Sequence, residues 1–263
     1  FENCTALVSV TLPSGLKAIQ DFAFNGCTKL KQIDLPTGLM SMGDYAFQNC
    51  DALTQIKIPE GITEIARYLF ENCDSLQTVI FPTTLKKIGE DAFNNCLMLE
   101  NVILPNGLTE IGGYAFYNCQ KLESIIIPEG VTTMGWGAFW NSGDLTVFSR
   151  SYARPTGWNT EWVSTSTTVV WNFKELVVKD GLTYAVRNDG TAVVIEYSGT
   201  AEELTIGLEE YSVAEIGGYV FKDNTTLKKV VLPEGLKKIG AHAFDGCTKL
   251  SSINLPDGLT AID

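Results

Sequence analysis

The chain has 263 residues, a formal charge of −12 and 45% apolar side chains. That acidity argues against nucleic acid, whose binding needs clustered Lys and Arg to displace counterions, and against adsorption to anionic membrane. No apolar run approaches the roughly 18–20 residues of a membrane-spanning helix, while the apolar fraction is large enough for a substantial core.

The sequence opens at Phe1 in mid-pattern and stops at Asp263, so it reads as cut from something longer. Phe recurs at 1, 24, 47, 70, 93, 116 and 139, an unbroken period of 23, and again at 221 and 244. Proline keeps the same period at 13, 36, 59, 82, 105 and 128, then at 233 and 256. A fixed period of this length predicts a repeat solenoid. In the unit "LKQIDLPTGLMSMGDYAFQNC" (30–50), Ile33 and Leu35 alternate with Gln32 and Asp34, the pattern of a strand with one inward face. Pro36 ends that strand because it has no N–H for a ladder, and Gly38 permits the turn. A second extended segment, 39–42, follows, and "GDYAFQN" is expected to turn the chain back as one turn of helix. Stacked units would lie about 4.8 Å apart and bury a continuous core that no single unit can bury.

With its LxxIxLP strand, GLxxIG segment and AFxxC corner, the unit resembles the BspA-like, Treponema-type leucine-rich repeat. The resemblance runs through 1–141 and again through about 204–263. It implies a mainly β solenoid of 23-residue coils from a bacterial cell-surface or secreted protein, one that engages host proteins or other cells.

Between these blocks the phase breaks. Residues 145–171 are rich in Ser, Thr and Trp, and "GLTYAVRNDGTAVVIEY" (181–197) is strand, Asn188-Asp189-Gly190 turn, strand, a strong hairpin signal. Such an island also resembles one found in the family. The expected domains are therefore a first repeat block at 1–141, a Trp-rich and hairpin insertion at 142–203, and a second block at 204–263. All five tryptophans (136, 140, 158, 162 and 171) fall in the last regular coil or the insertion. Either they form an exposed platform for a sugar or protein, or they plug the open end of the first block. Trp140 and Tyr117 follow the frame Phe, where other coils carry Asn, Gln or Glu, and are expected to point outward.

Catalytic chemistry finds no support. The one histidine, His242, occupies the column Phe22, Tyr45, Tyr68, Asp91, Tyr114, Gly137, Tyr219, and reads as one more ring in an aromatic row. The cysteines at 4, 27, 50, 73, 96, 119 and 247 hold one repeat position with no CxxC spacing, so no metal or cofactor is implied. Stacked copies fall within disulfide range, but their side chains should point in parallel into the core. Seven free, buried thiols are expected, each contacting turn backbone, a role open to Ser142 and Asn224 in their coils.

Solenoids bind through the variable positions of the sheet. One outward column runs Ser9, Gln32, Gln55, Thr78, Asn101, Ser124, and another Thr11, Asp34, Lys57, Ile80, Ile103, Ile126. The isoleucines form either an exposed contact stripe or a strip covered by the insertion. The candidate partner-binding residues are Thr78, Ile80, Asn101, Ile103, Ser124 and Ile126, with Tyr117 and Trp140. The expected function is a non-enzymatic, adhesin-like protein-binding module at a bacterial surface. A carbohydrate-binding or enzyme-accessory role for the Trp-rich insertion, or a passive spacer, are the alternatives.

Overall fold

The computed structural model describes residues 1–263, apart from the side chain of Asn101. It is a mainly β solenoid of about 11 turns of ~23 residues, with no helix among the described residues. Two units share the chain: residues 1–145 with 154–165, and residues 146–153 with 166–263.

In the first unit each coil contributes to three parallel ladders. The first contains Gln55–Lys57, Thr78–Ile80 and Asn101–Val102, paired in register Gln55↔Thr78↔Asn101. Ile56 and Val79 point into the core from these strands, while Lys57 and Ile80 point out. The second contains Glu64–Ile65, Lys87–Ile88, Glu110–Ile111 and Thr133–Met134. Its exposed column carries Lys87 between Glu64 and Glu110 at 3.5 and 3.4 Å, surface pairs of about 0.2–1 kcal/mol each. Between the ladders, the proline carbonyl accepts from the residue three on, as in Leu39 N to Pro36 O at 3.0 Å.

The third ladder is the corner, where a helical turn was expected. Alternate corner N–H groups donate to the next coil: Tyr45 to Arg67, Phe47 to Leu69 and Asn49 to Glu71, at 2.9–3.1 Å. These donors are unavailable to a helix. The geometry requires two left-handed residues per coil, the one before Ala-Phe and the one before Cys, for example Tyr45 (φ 61°) and Asn49 (φ 57°). Asparagine visits that region readily, whereas a tyrosine there costs roughly 1–2 kcal/mol.

Side-chain ladders offset the cost. Phe1, Phe24, Phe47, Phe70, Phe93, Phe116 and Phe139 stack at 5.2–5.6 Å between ring centroids, each fully buried ring being worth about 1.5–3 kcal/mol. Phe22, Tyr45 and Tyr68 stack in a second row at 4.7 and 4.6 Å. Asparagine side chains form a third: Asn72 donates to Asn49, Asn95 to Asn72, Asn118 to Asn95 and Asn141 to Asn118, at 2.8–2.9 Å.

The unit ends on a coil that lacks the repeat signature. Pro155-Thr156-Gly157-Trp158 makes the same turn as Pro36-Thr37-Gly38-Leu39, with Trp158 N donating to Pro155 O at 3.1 Å. Trp158 and Trp162 are buried, Trp162 edge-on to Phe139 at 6.0 Å. The Glu161 and Trp162 carbonyls accept from Gly137 and Phe139, as a regular coil's would.

In the second unit the strands Phe173–Lys179, Leu182–Arg187 and Thr191–Tyr197 form an antiparallel meander. Parallel strands Ser212–Ile216, Lys238–Ile239 and Ala261–Ile262 continue the same six-stranded sheet. The expected Asn188-Asp189-Gly190 turn closes the second hairpin, Asp189 accepting from Thr191 N and Oγ1 at 2.9 and 2.7 Å. Tyr197 takes the place of a frame Phe, 5.2 Å from the Phe221 ring, and Phe221 stacks on Phe244 at 4.8 Å.

Candidate functional site

The outward face of the first ladder is built by alternation: every inward Ile or Val leaves its neighbours facing solvent. Ile80, Ile103 and Ile126 are 53%, 84% and 43% exposed, so the stripe is open. Lys57 faces Ile80 in register, and Ile103 lies one step beyond the Val79↔Val102 pair. Ser124 is exposed and Thr78 half-buried on the same face, while the side chain of Asn101 lies outside the described residues.

Beside Ile80 the face deepens into a cleft of about 490 Å³, walled by Gln32, Asp34, Gln55, Lys57, Glu60 and Ile80 among others. Asp34 and Lys57 are exposed and have no ionic partner among the described residues. Glu60 accepts from Thr83 N and Oγ1 at 3.1 and 3.0 Å, and these bonds hold its carboxyl below the usual range. The cleft therefore presents three ions, two of them without an ionic partner and the third bonded to Thr83, and two amides at one end of an apolar stripe. Sequence columns contain all of these residues, but a concavity depends on how the coils follow one another, which the columns do not encode.

Tyr117 and Trp140 are half-buried at the corner. They belong to an aromatic cluster: Tyr114 lies edge-on to Tyr117 at 5.6 Å and to Trp136 at 4.9 Å, and Trp136 meets Trp140 at 4.3 Å. Gly137 has no side chain where most coils place a ring, and the Tyr114 ring and the Trp140 indole stand 3.2 and 3.7 Å from where its Cβ would be. In the neighbouring column Gln48 donates to Glu71 at 2.5 Å, and Glu71 and Asp91 are raised above the ordinary carboxylate range, first by burial.

The thiols are structural. Sγ of Cys27, Cys50, Cys73, Cys96 and Cys119 donates to the frame Phe carbonyl of the preceding coil at 3.2–3.4 Å. Ser142 makes the same bond to Phe116 O at 2.8 Å. Asn224 instead accepts from its own turn, at Thr226 N and Leu227 N. All seven are free, but not all are buried as expected: Cys4 is exposed and Cys247 half-buried, because fewer coils enclose them. Burial pushes Cys50 up to about 12 and Cys73 and Cys96 well up. Cys247 Sγ donates to Phe221 O at 3.0 Å, and His242 stacks on Tyr219 at 5.2 Å, so the two do not form a dyad. Among the described residues no group of three or more His, Cys, Asp or Glu is placed to hold a metal. Among the described residues no helix is long and apolar enough to cross a membrane.

The family model described as the BspA type leucine rich repeat region matches residues 1–102, 41–152 and 200–263, in six copies. The chain belongs to this family. The BspA-type chain is 37% identical to the leucine-rich repeat protein of T. pallidum over 53% of its own length and 68% of that protein's, with a TM-score of 0.51. It also matches a leucine-rich repeat protein from Bacteroides ovatus, at 26% identity, 100% and 70% coverage and a TM-score of 0.48. A leucine rich cell surface protein from Faecalibacterium prausnitzii matches at 25% identity, 100% and 64% coverage and a TM-score of 0.41. No curated protein matches the chain. The family and these neighbours are described as leucine-rich repeat proteins.

Proposed function

We propose that this BspA-type chain is a non-enzymatic, adhesin-like module at a bacterial cell surface that binds a protein through the outward face of its first ladder. The observation that carries the reading is the open Ile80, Ile103 and Ile126 stripe running into the Asp34 and Lys57 cleft. Exposed, contiguous apolar surface rimmed by polar groups is what contact sites offer, and two unpaired ions fix the partner's register. The surface setting is supported by a neighbour described as a cell surface protein. Within the reading, 1–141 and 204–263 are repeat blocks and 142–203 is an insertion between them.

The test is an array of purified extracellular host proteins probed beside a glycan array. Ile103→Asp should abolish capture on the protein array while changing stability by no more than about 0.5 kcal/mol, as expected of an exposed site. Capture that survives Ile103→Asp, or binding confined to glycans, would overturn the proposal.

A further inference from the structure

A different surface, in the second unit, carries an independent inference. The strand Phe173–Lys179 pairs with Leu182–Arg187 on one side and ends the six-stranded sheet on the other. At seven residues it is long for an open edge, and it contains no proline. Solenoid strands elsewhere in the chain are two to five residues. Leu176 and Val178 are 50% and 72% exposed on one face of it. An uncovered edge of this kind is a template for another strand.

The direction of its backbone groups follows from the turn. Asp180 (φ 55°) and Gly181 (φ 77°) form a two-residue hairpin connection with both residues left-handed. Lys179↔Leu182 is therefore a hydrogen-bonded pair, and the alternation makes Val177↔Tyr184 and Glu175↔Val186 bonded pairs as well. Leu176 and Val178 fall between them, so their N–H and C=O groups point away from the sheet. Arg150 Nη1 covers the Lys174 carbonyl at 3.0 Å, which leaves Leu176 to Val178 as the open part of the edge.

We propose that the occupant is a second copy of this chain, paired antiparallel about Val177. In that register Leu176 faces Val178 of the other copy, and the reverse, giving about four main-chain bonds. The two pairs join into one apolar patch on one face. On the other face Glu175, which within one chain pairs with Lys174 at 2.9 Å and accepts from Tyr211 Oη at 3.1 Å, lies opposite Lys179 of the other copy, whose own pair to the exposed Glu209 spans 3.7 Å. The other antiparallel registers compatible with the outward groups have no charge match: about Leu176, Glu175 meets Val177 and Lys174 meets Val178; about Val178, Lys179 meets Val177 and Glu175 meets Gly181. Charged residues on an edge normally repel foreign strands; these are self-complementary. The interface is isologous, so one strand supplies both halves. It is small, and the chain's net charge of −12 opposes association, so the dimer is weak.

Sedimentation equilibrium of the 263-residue chain at about 0.15 M salt should give a monomer–dimer equilibrium with Kd between about 10 μM and 1 mM. Val178→Pro removes an outward N–H and no ladder bond within the sheet, and should leave the chain monomeric with an unchanged thermal transition. Should that variant not fold, the charge pair decides: Glu175→Lys weakens the dimer at least about fivefold, and Glu175→Lys with Lys179→Glu restores it. A wild-type chain that stays monomeric to about 1 mM, a folded Val178→Pro that dimerises normally, or a double variant that is not rescued would each overturn the proposal.

Discussion

Glu71 sits at a break in a side-chain relay. Asn25 donates to Gln48 and Gln48 donates to Glu71, but an ionised carboxylate has no proton to pass on. The next residue of the column, Asn94, has a buried Oδ1 with no partner among the described residues. Glu71→Gln keeps the shape, still accepts from Gln48 and offers an N–H towards Asn94. Satisfying a buried acceptor is worth about 1 kcal/mol, and removing a half-buried charge adds to it. The weaker, no longer charge-assisted bond from Gln48 subtracts part. A net gain of about 1 kcal/mol at pH 7 corresponds to a Tm increase of about 2–4 °C for a chain of this size. The pH dependence has a definite sign. Burial raises the folded carboxyl, so the stability that protonation confers is complete below the ordinary value of about 4.3 and is lost as pH rises through the raised one. Protonated Glu71 can itself donate, so variant and wild type should converge below about pH 4 and separate above the raised value. Asp91 titrates in both proteins and largely cancels. Thermal scans between pH 4 and 8 are the assay; a gap independent of pH, or a variant less stable at pH 7, refutes the relay argument.

Thiol labelling of the native chain should modify Cys4 quickly and leave Cys50, Cys73, Cys96 and Cys119 untouched until denaturant is added, since a buried donor thiol resists ionisation. Gly26→Asn should stabilise the chain by about 0.5–1 kcal/mol, measured by denaturant titration. Gly26 is already left-handed (φ 71°); its new Cβ would displace the movable Asn3 Oδ1 and stand 3.4 Å from Asn3 Cα, an ordinary contact, and its amide would join Asn3 to the asparagine ladder. Trp158→Ala should cost about 3–5 kcal/mol, because it empties the closing coil and removes the indole bond to the Val131 carbonyl at 3.0 Å; protease sensitivity rising first within 154–165 is the readout.

The solenoid was legible because burial alone imposes it: the 23-residue spacing of Phe and Pro reports the coil length directly. The corner was misjudged because "GDYAFQN" has helix-compatible composition, and a tyrosine carries no mark of a left-handed backbone. The recurring Asn or Gly before each Cys was the available signal, since both residues favour positive φ. The coil at 154–165 escaped because it keeps neither Phe nor Cys; only the likeness of "PTGW" to "PTGL" records it. Asp180-Gly181 is a hairpin signal as strong as Asn188-Asp189-Gly190, since both residues tolerate the positive φ that a two-residue turn requires. The Ile stripe was visible as a column, whereas its exposure depends on what neighbouring segments cover and was settled only in three dimensions.

The thiol ladder has a consequence for how such a chain can change length. A coil with Cys or Ser at the corner reaches back with that side chain to the carbonyl of the coil before, and its corner N–H groups reach forward to the coil after. Each such repeat is thus both plug and socket in the same two positions, and one fits behind another. Duplicating or deleting one whole repeat creates no new kind of junction and leaves no donor stranded. The array can lengthen or shorten freely while the outward columns, which take no part in this coupling, are left to vary with whatever they meet.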